Sequence, residues 1–530
     1  MPDDMNTLNC LSDIPFLITT DGRMDVRQAL LRAHTPHFDI STNIAGYHYS
    51  AQIRLLAATA AICLRFETDT TPRGIRNLLT SGLSTRAVDF ALSTLEPGTR
   101  LHDPDFPFMQ RPALNLTNPK AKSTYVGPGE QPVKKLSPSM PPDEGEEFSN
   151  LLLSSPRELS QEDAVLQLVT YHHLSVAGNN AYNGDKCVSG SPAMRFVGAD
   201  NSATEVLWHG LSLLETLLCM IPRSWVEGQG LPAWADRTCT RSREHDCIHP
   251  LWAATWSSNT PATAWRDNKL VGVRTGGVPA EWILPEMGDK NQQKEWWTTR
   301  NEADPFYLYR YNGKELKLQR LDLGKDATAL ATSWAADNNT GAYTQWCVPR
   351  MLPPRGDTTL AFVRHRLEGT ASSPNIRASE VFIPHIEQWA HDTDIDVEMR
   401  ISEGAACIQR LHSLVTGPFR REHSNERANG RVPLVLDFLE SSRNSVSEAF
   451  WRHMTDSFSL LLKECRDSEA TYIPSQKLCT SLMTATIAAY DDVTQPYFGQ
   501  EPARISHVRA GIARLARYCI NQFAAPESSE

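Results

Sequence analysis

The residues best suited to binding a ligand lie in a loop rich in glycine and asparagine. Two apolar segments, residues 164–176 and 206–221, flank this loop and predict helices. Glycine and asparagine accept positive φ at low cost, so such a loop lets backbone amides approach a ligand closely. Lys186 adds a positive charge beside it, and amides with a cation suit a phosphate or a nucleic-acid groove. An ordinary surface loop is the alternative. The loop residues are Gly178, Asn179, Asn180, Ala181, Tyr182, Asn183 and Gly184.

The sequence holds no motif of the common enzyme classes. It has no G-x-S-x-G nucleophile elbow, Walker A loop, G-x-G-x-x-G fingerprint or H-E-x-x-H helix. Cys239, His245, Cys247 and His249 are close together, but their spacing is not the paired spacing of a structural zinc site. We therefore expect no catalytic site, no bound metal and no cofactor. A hydrolase that uses His245 or His249 stays as an alternative hypothesis.

Length and composition predict a multidomain cytoplasmic protein. A chain of 530 residues exceeds one hydrophobic core, so two or three domains are expected. The net charge of −10 argues against a protein that binds nucleic acid through bulk charge, but it allows a local basic patch within a larger assembly. The eleven cysteines lack paired spacing, which is typical of reduced thiols. We find no signal-type N-terminus and no long apolar run, so we expect no membrane association.

The hydrophobic pattern predicts an α+β fold. Residues 50–66 predict a central core helix, and residues 115–150, rich in proline, predict a long irregular loop. Tryptophan- and threonine-rich strand-like runs follow up to residue 354, with Asn312-Gly313 predicting a hairpin between two of them. These strands are predicted at 252–256, 270–274, 296–297, 306–311 and 316–321.

The last part of the chain is predicted to be helical. Four long segments with few prolines predict a bundle, and a linker is predicted near residues 364–378. Residues 364–373 also suit a tight turn projecting from a sheet. We therefore expect an α+β domain over residues 1–375, with helices packed on a mostly antiparallel sheet, and a four-helix bundle over 376–530. The helices are predicted at 398–415, 445–466, 475–493 and 505–523.

The order of these features resembles the CasA family, the large subunits of Cascade, the type I-E CRISPR surveillance complex. The resemblance rests on Asp13-Ile-Pro-Phe16, on Pro107-Phe-Met-Gln110, and on the glycine loop that leads into Gly190-Ser-Pro192. It covers nearly the whole chain, including the helical bundle. It implies a non-catalytic subunit with a guide RNA-containing complex, double-stranded target DNA and a helicase-nuclease as partners. A scaffold that does not read DNA remains the alternative.

The resemblance also implies the site residues. CasA-like proteins read the protospacer-adjacent motif from the minor groove and start strand separation for the R-loop. The glycine loop corresponds to residues 178–184, where asparagine and tyrosine replace part of the family's glycine run. The remaining segments are a lysine finger at Lys290 or Lys294, a wedge at Gly369, Thr370 and Ala371, and a loop anchored on the guide RNA and neighbouring subunits near Phe148 and Asn150.

Overall fold

The computed structural model describes most of the chain. The described residues are 8–112, 132–139, 156–175, 191–194, 196–198, 201–202, 204–245, 247–287, 292, 295–296, 300–301, 304–307, 309–311, 316–318, 327–337, 349–354, 358–370, 373–383, 395–421, 434–468 and 472–524. The chain divides into two compact units. The first comprises residues 1–320, 343–353 and 361–383, and the second comprises 321–342, 354–360 and 384–530.

The helices of the first unit surround one buried helix. In the central helix α2 every residue except Tyr47 and His48 is buried, as the apolar run at 50–66 predicted. Serine or threonine starts several of the others: Thr71, Ser84, Ser160 and Ser212 each accept a hydrogen bond from a backbone amide of the first turn. The helices are α1 (Val26–Arg32), α2 (Gly46–Leu64), α3 (Pro72–Ser81), α4 (Thr85–Leu95), α5 (Gln161–Leu174), α6 (Leu213–Met220), α7 (Arg223–Val226) and α8 (Pro250–Thr255).

The strands of the first unit form one larger sheet and several two-stranded pairs. The larger sheet has the order β13-β12-β4-β3, and β5 also pairs with β12. The two-stranded pairs are β1-β2, β6-β7, β8-β9 and β10-β11, all antiparallel. The strands are β1 (Leu17–Thr19), β2 (Gly22–Met24), β3 (Phe196–Gly198), β4 (Asn201–Ser202), β5 (Glu205–His209), β6 (Arg243–Glu244), β7 (Cys247–Ile248), β8 (Asn259–Arg266), β9 (Lys269–Gly277), β10 (Tyr309–Tyr311), β11 (Leu316–Leu318), β12 (Thr359–Thr370) and β13 (Ser373–Phe382).

The second unit is a bundle of the four predicted helices with one addition from upstream in the chain. The upstream helix α9 (Ala327–Asp337) packs on α10 and α11. Its Thr328 hydroxyl lies 2.8 Å from that of Thr455, and α12 starts at the capping residue Ser475. The bundle helices are α10 (Ile395–Thr416), α11 (Arg443–Asp467), α12 (Gln476–Thr494) and α13 (Pro502–Phe523). None of the described helices is long and apolar enough to span a membrane.

The α+β class and the four long helices are confirmed, but several local predictions are wrong. The apolar run at 206–221 is not one helix, because β5 precedes α6. The run at 252–256 is helical, since Pro250 starts α8, and the described residues Glu295 and Trp296 are helical as well. The interpretation of residues 364–378 as a linker is also wrong, because they form most of a β-hairpin.

Candidate nucleic-acid interface

The hairpin β12-β13 carries the predicted wedge at its tip. Its strands pair antiparallel from Phe362 opposite Phe382 to Thr370 opposite Ser373, which leaves two residues for the turn. The register shifts by one residue between Arg366 and Leu367. Such a bulge bends a hairpin and increases its twist, so we expect the outer four pairs to point in a different direction from the inner ones. Gly369 and Thr370 are therefore the last paired residues before the turn, while Ala371 lies outside the described residues.

Side chains alternate along the middle of this hairpin. Val363, His365 and Leu367 are buried, whereas Arg364 is half-buried and Arg366 is exposed. Arg364 lies opposite Glu380 and contacts its carboxylate at 3.4 Å. On β13, Arg377 is exposed beside the bulge. The outward face near the bend is therefore rich in guanidinium groups, which suit hydrogen bonds to phosphate oxygens.

A buried network of charged side chains contacts this hairpin at His365, in the half of the hairpin away from the turn, which we call its root. Arg54 of α2 donates from Nε to Glu205 of β5 at 2.7 Å, and Glu205 Oε2 lies 3.5 Å from His365 Nε2. Asp304 lies 4.0 Å from the Arg54 guanidinium, which stacks 3.9 Å from the centre of the Phe306 ring. Burial alone would raise the pKa of the Glu205 carboxyl, but the charge of Arg54 and the His365 imidazole lower the pKa to about 2. Glu205 is thus ionised at neutral pH and forms an ion pair with Arg54.

The two ends of the glycine loop are joined by hydrogen bonds. Helix α5 ends at Leu174, and the Ser191 hydroxyl donates to the Ser175 carbonyl at 2.9 Å. The Ala193 amide donates to the His173 carbonyl at 2.7 Å, and both serines are buried. The residues that flank the loop therefore lie side by side in the core. Its residues Gly178, Asn179, Asn180, Ala181, Tyr182, Asn183 and Gly184 lie outside the described residues.

The segment that carries the predicted lysine finger is also anchored at both ends. Met287 before it and Trp296 after it are buried in the same cluster, which we call the tryptophan cluster. The Trp296 ring meets the Trp256 ring edge-on at 5.4 Å, and the Arg300 guanidinium lies 5.4 Å from the centre of the Trp296 ring. Lys290 and Lys294 themselves lie outside the described residues. The cluster comprises Ala233, Cys239, Trp252, Trp256, Val278, Trp282, Leu284, Met287 and Trp296.

One contact connects the stem of the glycine loop to the tryptophan cluster. The buried His172 of α5 is hydrogen-bonded through Nε2 to the Thr255 carbonyl at 2.9 Å, one residue before Trp256. Burial, together with the neighbouring His173, holds the pKa of His172 well below its usual range. The described flanks of both predicted DNA-reading segments are thus connected within the first unit.

Two of the four candidate metal ligands, Cys239 and His249, have other roles in the fold. Cys239 is buried in the tryptophan cluster, and burial raises the pKa of its thiol to about 12, which disfavours the thiolate that binds metals. His249 donates from Nε2 to the Glu227 carbonyl at 2.7 Å, and its Nδ1 accepts from the Leu251 amide at 3.2 Å. Both its nitrogens are occupied. His245 lies in the turn between β6 and β7, and Cys247 is the first residue of β7. Within the described ranges, no group of three or more His, Cys, Asp or Glu is arranged to hold a metal.

Sequence reasoning missed the network at the hairpin root and the pinned loop ends. Phe148 and Asn150, predicted to anchor the complex, lie outside the described residues. Arg54 is the signal that could have pointed to the network, because an arginine in the middle of an apolar core helix requires a buried acceptor. Its partners Glu205 and His365 are far away in sequence, so only the folded chain identifies them.

Comparison with known proteins gives one family. A family model described as CRISPR-associated protein Cse1 matches residues 18–275. This range includes the central helix, both flanks of the glycine loop and four of the nine residues of the tryptophan cluster. None of the curated proteins compared with the chain matches it.

Solved structures of similar fold bear the same family name. CasA (Cse1) of Thermus thermophilus matches with a TM-score of 0.59 and 16% identity, covering 98% of this chain and 100% of that one. Cse1 of Thermobifida fusca matches with a TM-score of 0.63 and 13% identity over 99% of both chains. Cse1 of Acidimicrobium ferrooxidans gives 0.60 and 16% over 97% of this chain and 99% of that one. At these identities the structures establish the common fold.

Proposed function

This chain belongs to the Cse1 (CasA) family, whose members are large subunits of Cascade, and we propose that it senses the protospacer-adjacent motif of duplex DNA and starts strand separation. The observation that carries the proposal is the hairpin β12-β13, which has a register shift near its middle, ends in a two-residue turn and has arginines on its outward face. A turn inserted into a base stack costs a few kcal/mol of unstacking, which guide pairing and phosphate contacts offset.

The other parts of the proposed site follow from the family. The glycine loop at 178–184 and Lys290 or Lys294 would contact the minor groove, where A·T and G·C pairs differ chiefly by one donor. Phe148 and Asn150 would dock the subunit on its guide RNA complex. The subunit would act in the cytoplasm, help recruit the helicase-nuclease and carry out no chemistry itself. Delegating sequence recognition to a guide RNA leaves a protein only a short motif to read, so no catalytic constellation is needed.

The test separates strand opening from binding. Gly369, Thr370 and Ala371 are replaced by a longer turn, and the variant is assembled with its guide RNA and companion subunits. We expect R-loop formation on an intact duplex to fall, while binding to a target already unpaired beside the motif is retained, because only the first substrate needs the strands pried apart.

A matched control is available in the same unit. The hairpin β8-β9 also turns through two residues, Asp267 and Asn268, both at positive φ, and the same insertion there should leave both substrates unaffected. Equal loss on intact and opened targets would mean that the β12-β13 turn is not a wedge. Normal R-loop formation on the intact duplex and normal binding to the opened target would mean that strand separation starts elsewhere in the complex. Partners retained after nuclease treatment would favour the scaffold alternative.

A further inference from the structure

The buried charge network joins four elements of the first unit through one carboxylate. Glu205 Oε1 lies 2.5 Å from the Arg54 terminal nitrogen Nη2 on α2, and Oε2 faces His365 on β12. His365 in turn is hydrogen-bonded through Nδ1 to the Ser379 hydroxyl of β13 at 2.8 Å. The side chains of Glu205 and His365 have no exposed surface, and Arg54 has 5%. Both hairpin strands are thereby connected to the central helix.

The network lies beside the register shift of the hairpin. His365 lies two residues before Leu367, where the shifted register begins, and opposite Ser379 on the partner strand. Inside the core an apolar side chain would fill the same space at lower desolvation cost, because an ion pair must offset the loss of hydration. A charged, hydrogen-bonded contact differs from apolar packing in having a definite direction and distance. It therefore restricts how the strand lies on the helix.

A second contact between the same helix and hairpin involves no charge. Gly46 starts α2, and a Cβ at this position would lie 2.8 Å from both the Glu380 carbonyl oxygen and the Ser379 hydroxyl. Such a distance is too short for a side chain, so the backbone of β13 rests directly on the first turn of α2. The helix thus holds both strands of the hairpin at its root.

We propose that Glu205 and His365 are positioning residues that set the direction from which the β12-β13 turn meets duplex DNA. The proposal rests on the proposed function of that turn. His365 is the residue to replace, because its substitution leaves the Arg54–Glu205 pair in place and removes the connection from Glu205 to the hairpin. A substitution at Gly46 tests the contact between α2 and the other hairpin strand, β13.

The experiment uses the assembled complex and two readouts. His365→Leu and Gly46→Ala are compared with wild type by hydrogen exchange of the β12 and β13 amides, and by R-loop formation on intact and pre-opened targets. We expect faster exchange in the outer half of the hairpin and roughly tenfold slower opening of the intact duplex, with the pre-opened target bound as in wild type. His365→Gln, which can still hydrogen-bond, should restore most of the rate. The control Glu380→Gln removes an exposed partner on the same hairpin and should change neither readout.

The outcomes distinguish this role from the proposed function. Unchanged exchange in both His365→Leu and Gly46→Ala overturns the positioning role, whatever the turn variants do. Faster exchange with normal opening of the intact duplex overturns it as well. If the variant with the lengthened turn at residues 369–371 also opens DNA normally, the proposed wedge function is wrong as well. If only the turn variant has a defect, the wedge function is supported and only the positioning role is wrong.

Discussion

Acid should destabilise the first unit through His173, and one substitution should remove that sensitivity. The imidazole is 1% exposed, donates from Nδ1 to the Val169 carbonyl at 2.9 Å, and has no hydrogen-bond partner for Nε2 among the described residues. A proton on Nε2 would therefore be buried without an acceptor. Burial lowers the pKa of His173 from 6.5 to about 4.

The sign and size of the effect follow from this shift. Because the unfolded chain binds the proton more tightly, the contribution of His173 to stability is complete above pH 6.5 and is lost as the pH falls toward 4. A shift of this size corresponds to about 3 kcal/mol. We expect His173→Gln, which keeps a donor for Val169, to lose that much less unfolding free energy than wild type between pH 7.5 and pH 4.

Urea unfolding followed by tryptophan fluorescence measures this difference. Ten of the thirteen tryptophans lie in the first unit, among them the four of the tryptophan cluster, so the signal is weighted toward that unit. Any packing cost of the substitution is present at both pH values and cancels when the two free-energy differences are compared. If wild type and His173→Gln lose the same unfolding free energy on acidification, the reasoning from burial is refuted.

Three further predictions concern the finger, its anchor and the bundle. Lys290→Ala should weaken binding to the target duplex more than Lys294→Ala, by about 1–3 kcal/mol, with assembly intact; equal binding by wild type and both variants at physiological salt would remove the finger assignment. Trp296→Ala should cost about 3–5 kcal/mol of unfolding free energy in a denaturation experiment, because it empties a buried site in the tryptophan cluster, and a cost below 1 kcal/mol would contradict that packing. In the bundle, Arg509 bonds Asp491 through two nitrogens on the surface, so a double-mutant cycle should give a coupling below about 1 kcal/mol; a larger coupling would show that the pair is less screened than its exposure implies.

Much of the fold could be predicted from local patterns. The core helix around Leu55 is apolar on all sides, and the bundle helices have a clear helical period with few prolines, so sequence alone indicates their type and approximate length. The Asn312-Gly313 prediction is consistent with the pairing of β10 and β11, which the structure shows on either side of it. Patterns failed where an apolar run was short: residues 206–209 are a strand and 250–255 a helix, and periodicity over so few residues cannot separate the two.

The α+β class, the long helices and the resemblance that the family match confirms could be predicted from the amino-acid sequence, because they depend on residue order and on periodic burial along the chain. The folded chain was needed to show that residues 364–378 form a hairpin and not a linker, since a strand is defined by a partner that local composition does not reveal. It was also needed to show that Arg54, Glu205 and His365 meet. Their contacts span more than 150 residues of chain, and a buried charge specifies only that some partner exists, while the packing of helix on sheet determines which one it is.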